Sequence, residues 1–157
     1  METVKAWMSS PAIVARDTET LPRARELLLA AGIRRLPVVN AAGELVGIIT
    51  RGDINRISDS PERDKQDYNP YYRIHDLPLR EVMRRPVITV TPDTPLHEAA
   101  HLLLAWRIGG FPVLSSGQII GMITASDMLR HIIQHMNEPP PAARQRHPTS
   151  FDESGLR

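Results

Sequence analysis

Two short motifs, Thr50–Asp53 and Thr124–Asp127, carry side chains suited to binding a nucleotide. In both, a threonine follows a strand-like apolar run, a helix is predicted to begin there, and an aspartate lies three residues later. This is the spacing of a helix capping box, so a purely structural role is one interpretation. The other is a binding site: a helix start and a threonine hydroxyl suit a phosphate, and a carboxylate can accept hydrogen bonds from two ribose hydroxyls. The two interpretations are compatible, and the residues alone leave both open.

Two adjacent arginines, Arg34 and Arg35, precede the apolar run that begins at Leu36. Guanidinium groups suit phosphate oxygens, so both side chains are candidates for phosphate recognition. The alternative is a pair of solvated cations at a helix end, where positive charge suits the helix dipole. At the matching place the second half of the chain has Gly109-Gly110, with Arg107 nearby. We therefore expect the halves to differ: one site takes a more anionic ligand, or one is empty.

An adenine ring would need an apolar slot with a few backbone donors and acceptors. Apolar segments near the two motifs are candidates for such slots, although residues of this kind more often belong to a core. The candidates are Ile13, Val14, Leu36 and Pro37 for one slot, and Ile88, Thr89, Gly110, Phe111 and Pro112 for the other.

His97 and His101 belong to an H-E-x-x-H sequence, in which zinc hydrolases bind metal through both histidines while Glu98 activates water. Such a site needs a third protein ligand, and the sequence offers none at the spacing of the extended motif. We expect an exposed helix face, with adventitious metal binding by the pair as the alternative. His131 and His135 have the same spacing, and no acidic partner is expected near them.

Acid–base catalysis is not predicted. Asp53 and Asp127 lie in separate halves of the chain, and no nucleophile stands beside either. Arg84-Arg85, just before Pro86, is expected to form a solvated turn, with added charge for a cleft as the alternative. The chain is therefore predicted to have no catalytic residues and no metal ligands.

The sequence repeats itself, first at a shift of 75 positions and then at 74. The aligned pairs include Met8 with Met83, Pro37 with Pro112, Gly47 with Gly121, and Asp53 with Asp127. The change of shift falls in a glycine-containing turn, where a length change costs least. Each copy predicts the order β-α-β-β-α, with first extended pieces at Ala12–Ala15 and Val87–Thr91. Because neither copy can bury its sheet alone, we expect the two to pack together.

Both copies resemble CBS domains, and the tandem pair resembles a Bateman module. The segments that carry the resemblance are Gly32–Val39 and Gly47–Ile54, then Ile108–Leu114 and Gly121–Met128. The resemblance implies an α/β fold in which two repeats form one pseudo-twofold module, with clefts that commonly bind adenosine-containing ligands. It also implies ligand roles for the threonine and aspartate of each motif, and a homodimer.

Composition excludes several other classes of protein. The 157 residues include no cysteine, which rules out disulfides and Cys-ligated metal, and the formal net charge is only +1. Neither nucleic acid nor a membrane is therefore an expected partner. The first ten residues lack the apolar stretch of a signal peptide, so a cytoplasmic protein is expected.

The expected organisation is a first repeat over residues 1–57, a linker over 58–78, a second repeat over 79–136 and a disordered tail over 137–157. The linker holds three tyrosines that either pin it to the surface or reach a partner. The predicted function is non-catalytic regulation by an adenosine nucleotide such as AMP, ADP or ATP, with no obligatory cofactor and an unknown protein target. The alternative is a ligand-free dimerisation scaffold that acts through its linker or tail.

Overall fold

A computed structural model describes residues 1–58 and 76–136 of the chain. In chain order the elements are α1 (Val4–Trp7), β1 (Ala15–Arg16), α2 (Leu21–Ala31), β2 (Arg35–Val39), β3 (Leu45–Thr50), α3 (Arg51–Ser58), a 3-10 turn (Leu79–Glu81), α4 (Leu96–Trp106), β4 (Gly110–Ser115), β5 (Gln118–Thr124) and α5 (Ala125–His135). The mixed α/β fold with two repeats is the one predicted from the sequence. Residues 59–75 and 137–157, and with them the predictions for the tyrosines and the tail, lie outside the described part.

The helices α2 and α4 occupy matching places and bury matching faces. Leu21, Ala24 and Leu28 are buried in α2, and their counterparts in α4 have the same spacing. Gly32 ends α2 with a φ of 62°, a left-handed conformation that glycine adopts at little cost. Arg107 ends α4 in the same left-handed conformation, with a φ of 52°, which is less favourable for a residue with a β-carbon than for glycine. Each helix thus delivers the chain to the start of a buried strand.

Each repeat contains an antiparallel hairpin. In the first, β2 pairs with β3, and β1 adds a short parallel strand beside β2. In the second, β4 pairs with β5, and a single parallel bridge from Val90 to Val113 replaces the first strand. Of the predicted extended pieces Ala12–Ala15 and Val87–Thr91, only Ala15 and Val90 pair with a neighbouring strand, and β1 continues to Arg16. In the first repeat the reason is visible, because Pro11–Ile13 line a cleft instead of pairing with β2.

The two repeats exchange their leading segments. Val4, in α1 of the first repeat, is fully buried in the core of the second with Phe111. Leu79, its counterpart at a shift of 75, is fully buried in the core of the first repeat with Leu36. Each core is thus completed by the other repeat, which explains why the repeats pack as one module.

Backbone pairing between the repeats follows the same exchange. Ser9 bonds Met122 of β5 through both its N–H and its carbonyl, each at 2.9 Å. Arg84 does the same with Ile48 of β3, at 2.9 and 3.0 Å. A β-carbon at Gly121 would lie 2.6 Å from the Ser9 carbonyl oxygen, so glycine is required for this approach. No helix in the described ranges is long and apolar enough to cross a membrane.

Candidate functional site

The main cleft, of about 550 Å³, lies between the two repeats. One wall comes from the first repeat and the other from the start of α5 in the second. The residues that line it are Ser9, Pro11, Ala12, Ile13, Gly32, Ile33, Arg34, Arg35, Gly109, Met122, Thr124, Ala125, Ser126, Asp127 and Arg130. It therefore brings together one of the two Thr-x-x-Asp motifs and the arginine pair.

Thr124 and Asp127 form the predicted capping box at the start of α5. Asp127 Oδ2 accepts hydrogen bonds from the Thr124 N–H at 2.8 Å and from the Thr124 hydroxyl at 3.0 Å. Its Oδ1 accepts one from Arg130 Nη1 at 2.6 Å. The Asp127 residue is only 3% exposed, yet it lines the cleft. The carboxylate is thus held by its own helix, and no residue of the opposite repeat hydrogen-bonds to it in the described structure.

Arg34 and Arg35 approach the cleft from the other wall, where α2 passes into β2. The Arg35 guanidinium lies against Gly109, and a β-carbon at Gly109 would overlap with it. Burial, and then the neighbouring charge of Arg34, lower the pKa of Arg35 from its ordinary value. The glycines of the second repeat therefore make room for the arginine of the first, which explains why the repeats differ at this position.

The first motif, at the start of α3, is arranged differently. Asp53 is 2% exposed, and its Oδ2 accepts a hydrogen bond from the Thr50 N–H at 3.0 Å. Its Oδ1 accepts bonds from Arg56 Nη2 and Arg84 Nε, each at 2.7 Å. Arg84 belongs to the leading segment of the opposite repeat. The residue that aligns with it at a shift of 75 is Ser9, which lines the main cleft with Asp127. The prediction of a solvated Arg84 turn is thus incomplete, because its guanidinium binds Asp53.

The pKa of Asp53 reflects these contacts. Burial raises the pKa of its carboxyl, but the hydrogen bonds from Arg84 and Thr50 outweigh that effect and hold the pKa below its usual value. Both carboxylate oxygens are thereby engaged within the protein. Thr50 and Asp53 line neither the main cleft nor the smaller one described next.

A smaller cleft of about 250 Å³ lies between α2 and α3 in the first repeat. It shares Gly32, Ile33 and Arg34 with the main cleft, and Arg25 and Arg51 add two further guanidinium groups. No carboxylate lines it, so it has cationic groups for an anion, and its one side-chain acceptor is the Asn55 amide oxygen.

The residues predicted to line an adenine slot lie, with one exception, away from the main cleft. Of that group only Ile13, which is 41% exposed, lines it. Leu36, Pro37, Phe111 and Pro112 are fully buried inside their strands, Gly110 is buried, and Val14, Ile88 and Thr89 are half-buried. The continuous apolar runs to which most of them belong are typical of a core, the commoner role of such residues. We therefore leave these eight residues out of the binding site proposed below.

Several residues of the main cleft are not predicted from the sequence. Ser9 and Met122 enter through the exchange of segments between repeats, which no local pattern reveals. Arg130 could have been found, because it follows Asp127 by three positions, the spacing of neighbours on one helix face. Ser126 lies inside the recognised motif and was passed over in favour of its neighbours.

The histidine pairs also differ from expectation in one respect. His97 and His101 are exposed on α4, as predicted. The expectation that His131 and His135 lack an acidic partner was wrong, because Glu2 lies beside both. These three residues form the single cluster of potential metal ligands found within residues 1–58 and 76–136.

Comparisons with known proteins agree with this architecture. The family model described as CBS domain matches residues 4–60 and 79–134. A CBS domain-containing protein of Dictyostelium discoideum is 36% identical over 141 residues, which cover 88% of this chain and 96% of that protein. The CBS domain pair of protein MJ0100, solved in complex with 5'-methylthioadenosine and S-adenosyl-L-methionine, superposes with a TM-score of 0.71 at 28% identity, over 85% of this chain and 98% of that one.

Similar segments also occur inside larger proteins. The L-aspartate semialdehyde sulfurtransferase of Methanocaldococcus jannaschii is 30% identical over 128 residues, which make up 81% of this chain but only 22% of the enzyme. The chain thus corresponds to a small part of that relative and to nearly all of the Dictyostelium protein. With both repeats matched and the exchanged-segment fold in place, the chain belongs to the CBS domain family as a tandem pair.

Proposed function

We propose that this chain is a non-catalytic regulatory module that binds an adenosine-containing ligand in the main cleft. One observation carries the proposal: Asp127 and the start of α5 face Arg34 and Arg35 across a single cleft of about 550 Å³. A carboxylate, a helix start and guanidinium groups are the chemistry that a ribose bearing an anionic or polar 5' substituent requires. The ligands of the MJ0100 pair, both adenosine derivatives, support this choice of ligand class.

The ribose is assigned to Asp127. A carboxylate offers about four lone-pair positions, of which Thr124 and Arg130 use three. One ribose hydroxyl can bind to the remaining position. The Arg130 side chain is 63% exposed, so it can move into solvent and free a second position.

The anionic end of the ligand is assigned to the first turn of α5 and the arginine pair. Within that turn the Ala125 N–H already donates to the Gly109 carbonyl at 3.0 Å, and the Asp127 N–H donates to the Thr124 hydroxyl oxygen. Ser126 therefore contributes the N–H and hydroxyl that we assign to a phosphate. The apolar side of the cleft, at Ile13, Ile33 and Met122, is assigned to the adenine.

The two motifs are not equivalent in this proposal. Asp53 is already bound by Arg84 and Arg56, so a ribose would have to displace charged partners from it. Asp127 has one such partner, Arg130, on its own helix. We therefore propose one nucleotide per chain, at Asp127, and withdraw Thr50 and Asp53 from the ligand-binding set.

We also propose a homodimer formed through α5. An apolar stripe with helical spacing runs along α5 and ends just past it. Its members, with their exposed fractions, are Leu129 (59%), Ile132 (48%), Ile133 (72%) and Met136 (55%). The matching places in α3 begin with Asn55 and Ser58, which are polar. This apolar stripe also favours the second candidate function, a ligand-free scaffold. A cytoplasmic location remains a prediction from composition that cell fractionation would test.

A thermal-unfolding panel tests the ligand proposal. The full chain is heated with 5'-methylthioadenosine, S-adenosyl-L-methionine, AMP, ADP and ATP, and with the guanosine nucleotides as controls. A ligand at 100 times its dissociation constant adds about 2.7 kcal/mol, or very roughly 5 °C or more at this chain length. Stabilisation by an adenosine compound that is lost in Asp127→Ala supports the module. No stabilisation by any compound would leave the scaffold as the better account.

A further inference from the structure

We propose that Glu2, His131 and His135 bind one divalent transition-metal ion, with Zn²⁺ as the first choice. The ligating atoms of the three side chains all lie within 4.8 Å of one another. Two imidazole nitrogens and one carboxylate oxygen are a ligand set that suits Zn²⁺ and leaves a fourth position for water. The site lies near the end of α5, and the proposal does not depend on nucleotide binding in the main cleft.

The interatomic distances suit a four-coordinate ion. His131 Nδ1 lies 2.9 Å from Glu2 Oε2, and His135 Nε2 lies 3.3 Å from Glu2 Oε1. Ligands of a tetrahedral ion with bonds of about 2.0–2.1 Å are about 3.3–3.4 Å apart. Glu2 presents a different oxygen to each histidine, and an ion bound by one carboxylate oxygen needs that oxygen at about this distance from both nitrogens. A small reorientation of the Glu2 carboxylate is therefore required on binding.

The tautomer of His135 is fixed by the helix itself. Its Nδ1 lies 2.8 Å from the His131 carbonyl oxygen, to which it donates a hydrogen bond. Its Nε2 faces Glu2 and, in the neutral ring, carries the lone pair that a metal ion would bind. A ligating histidine whose other ring nitrogen donates to a carbonyl is the usual arrangement around protein-bound metals.

The His131 ring supplies the second, independent observation. Its Nδ1 is buried and makes no hydrogen bond among the described residues, although it lies 2.9 Å from Glu2 Oε2. A buried polar nitrogen without a partner is costly. A metal ion between this nitrogen and the carboxylate would satisfy both.

Neighbouring groups hold Glu2 in place. The Trp7 indole N–H donates to Glu2 Oε2, and the Leu96 N–H donates to the Glu2 carbonyl at 2.9 Å. The Trp7 ring stands edge-on to His131, with centroids 5.0 Å apart. Glu2 is thus held in place without a metal ion. The fluorescence of Trp7 should respond to an ion bound beside it.

His97 and His101 provide a matched control within the same chain. They have the same i, i+4 spacing on α4 and are exposed, but no carboxylate joins them in a cluster within the described ranges. If spacing alone bound metal, this pair would bind as well as the pair on α5.

The experiment is a calorimetric titration of the untagged, chelator-treated full chain with ZnCl₂. It is repeated for Glu2→Gln, for His131→Ala, and for the control His97→Ala/His101→Ala, each first shown to unfold cooperatively by circular dichroism. We expect one Zn²⁺ per chain, unchanged in the control, and at least tenfold weaker in Glu2→Gln and in His131→Ala. In parallel, Cu²⁺ should quench the fluorescence of the wild-type chain more than that of Trp7→Phe, which retains Trp106.

Three results would overturn the proposal. They are an absence of stoichiometric Zn²⁺ binding, binding that the control variant abolishes, and binding that Glu2→Gln leaves unchanged. The last would mean that a histidine pair binds metal adventitiously and that Glu2 only forms an ion pair. Since Glu2→Gln keeps the size of the side chain, a folding defect is not expected to obscure the result.

Discussion

Arg35 of the first repeat lies against Gly109 of the second, in the space that a side chain at position 109 would fill. The two positions nearly coincide in the repeat alignment, where Gly109 matches Arg34 and Gly110 matches Arg35. An arginine pair in both repeats would compete for one volume. The glycines thus allow a single arginine pair to enter the cleft beside Asp127, which makes the two halves of the module chemically unequal.

Gly109→Ala should weaken binding of an anionic ligand with little loss of stability. The added β-carbon overlaps with the mobile end of Arg35, so the guanidinium must leave its place. The matched control is Gly110→Ala, whose β-carbon would lie 3.0 Å from the Ile123 carbonyl oxygen and would strain backbone instead. We expect a change in unfolding free energy within about 0.5 kcal/mol for the first variant and a loss of about 1 kcal/mol or more for the second. Chemical denaturation and ligand titration measure both; equal destabilisation would contradict the assignment.

The ion pair between Asp53 and Arg84 should make stability sensitive to acid. Because the pKa of Asp53 is lower in the folded chain than in the unfolded one, its contribution is present above about pH 4 and is lost as the pH falls further. Arg84→Ser should therefore weaken the chain at pH 7 and reduce the stability lost on acidification, because the pKa of Asp53 in the folded variant lies closer to its unfolded value. Asp53→Asn should flatten the curve below pH 4 and cost about 1–3 kcal/mol at neutral pH.

The control for this pH series is Glu26→Gln. Glu26 pairs with Arg23 at 2.9 Å, but the two side chains are 70% and 52% exposed. An exposed pair of this kind contributes at most about 1 kcal/mol. Urea unfolding between pH 3 and 7 gives the comparison. If Asp53→Asn and Glu26→Gln follow the same profile, Asp53 is not held by Arg84 in solution.

The apolar stripe on α5 should carry the dimer. Ile133→Glu places a charge on its most exposed member, so we expect the variant to be monomeric where the parent chain is dimeric. Leu29→Glu, on α2, changes an exposed leucine outside the stripe and should leave the dimer intact. Light scattering after size-exclusion chromatography distinguishes the two. A monomeric parent chain at all concentrations would contradict the dimer.

Much of the fold could be predicted because it is local and repeated. The capping box of Thr124 and Asp127 follows from residue type and spacing, and the buried faces of α2 and α4 follow from their periodicity. The contacts that distinguish the first Thr-x-x-Asp motif from the second could not be predicted in this way. Arg84 reaches Asp53, and Ser9 reaches Met122, only because the repeats exchange leading segments.

Tertiary packing also decides where the predicted site residues lie. Pro37 and Pro112 were predicted to line a slot because they belong to apolar segments, and the structure buries both in the strands of each core. Glu2 was not connected to His131 because the two residues are at opposite ends of the repeat pair and meet only through the packing of α1 on α5. Local patterns thus identified the elements, and tertiary packing decided which residues face the cleft.

The number of adenosine ligands bound per chain distinguishes a single site at Asp127 from two equivalent sites. Calorimetric titration of the full chain is compared with Asp127→Asn and Asp53→Asn; asparagine keeps an acceptor for each helix start. We expect one ligand per chain, with an unchanged affinity in Asp53→Asn. Binding should be at least tenfold weaker in Asp127→Asn, since a hydrogen bond to a charged group is worth about 1.5–3 kcal/mol. Two equivalent ligands per chain, or a loss of binding in Asp53→Asn alone, would contradict the single site at Asp127.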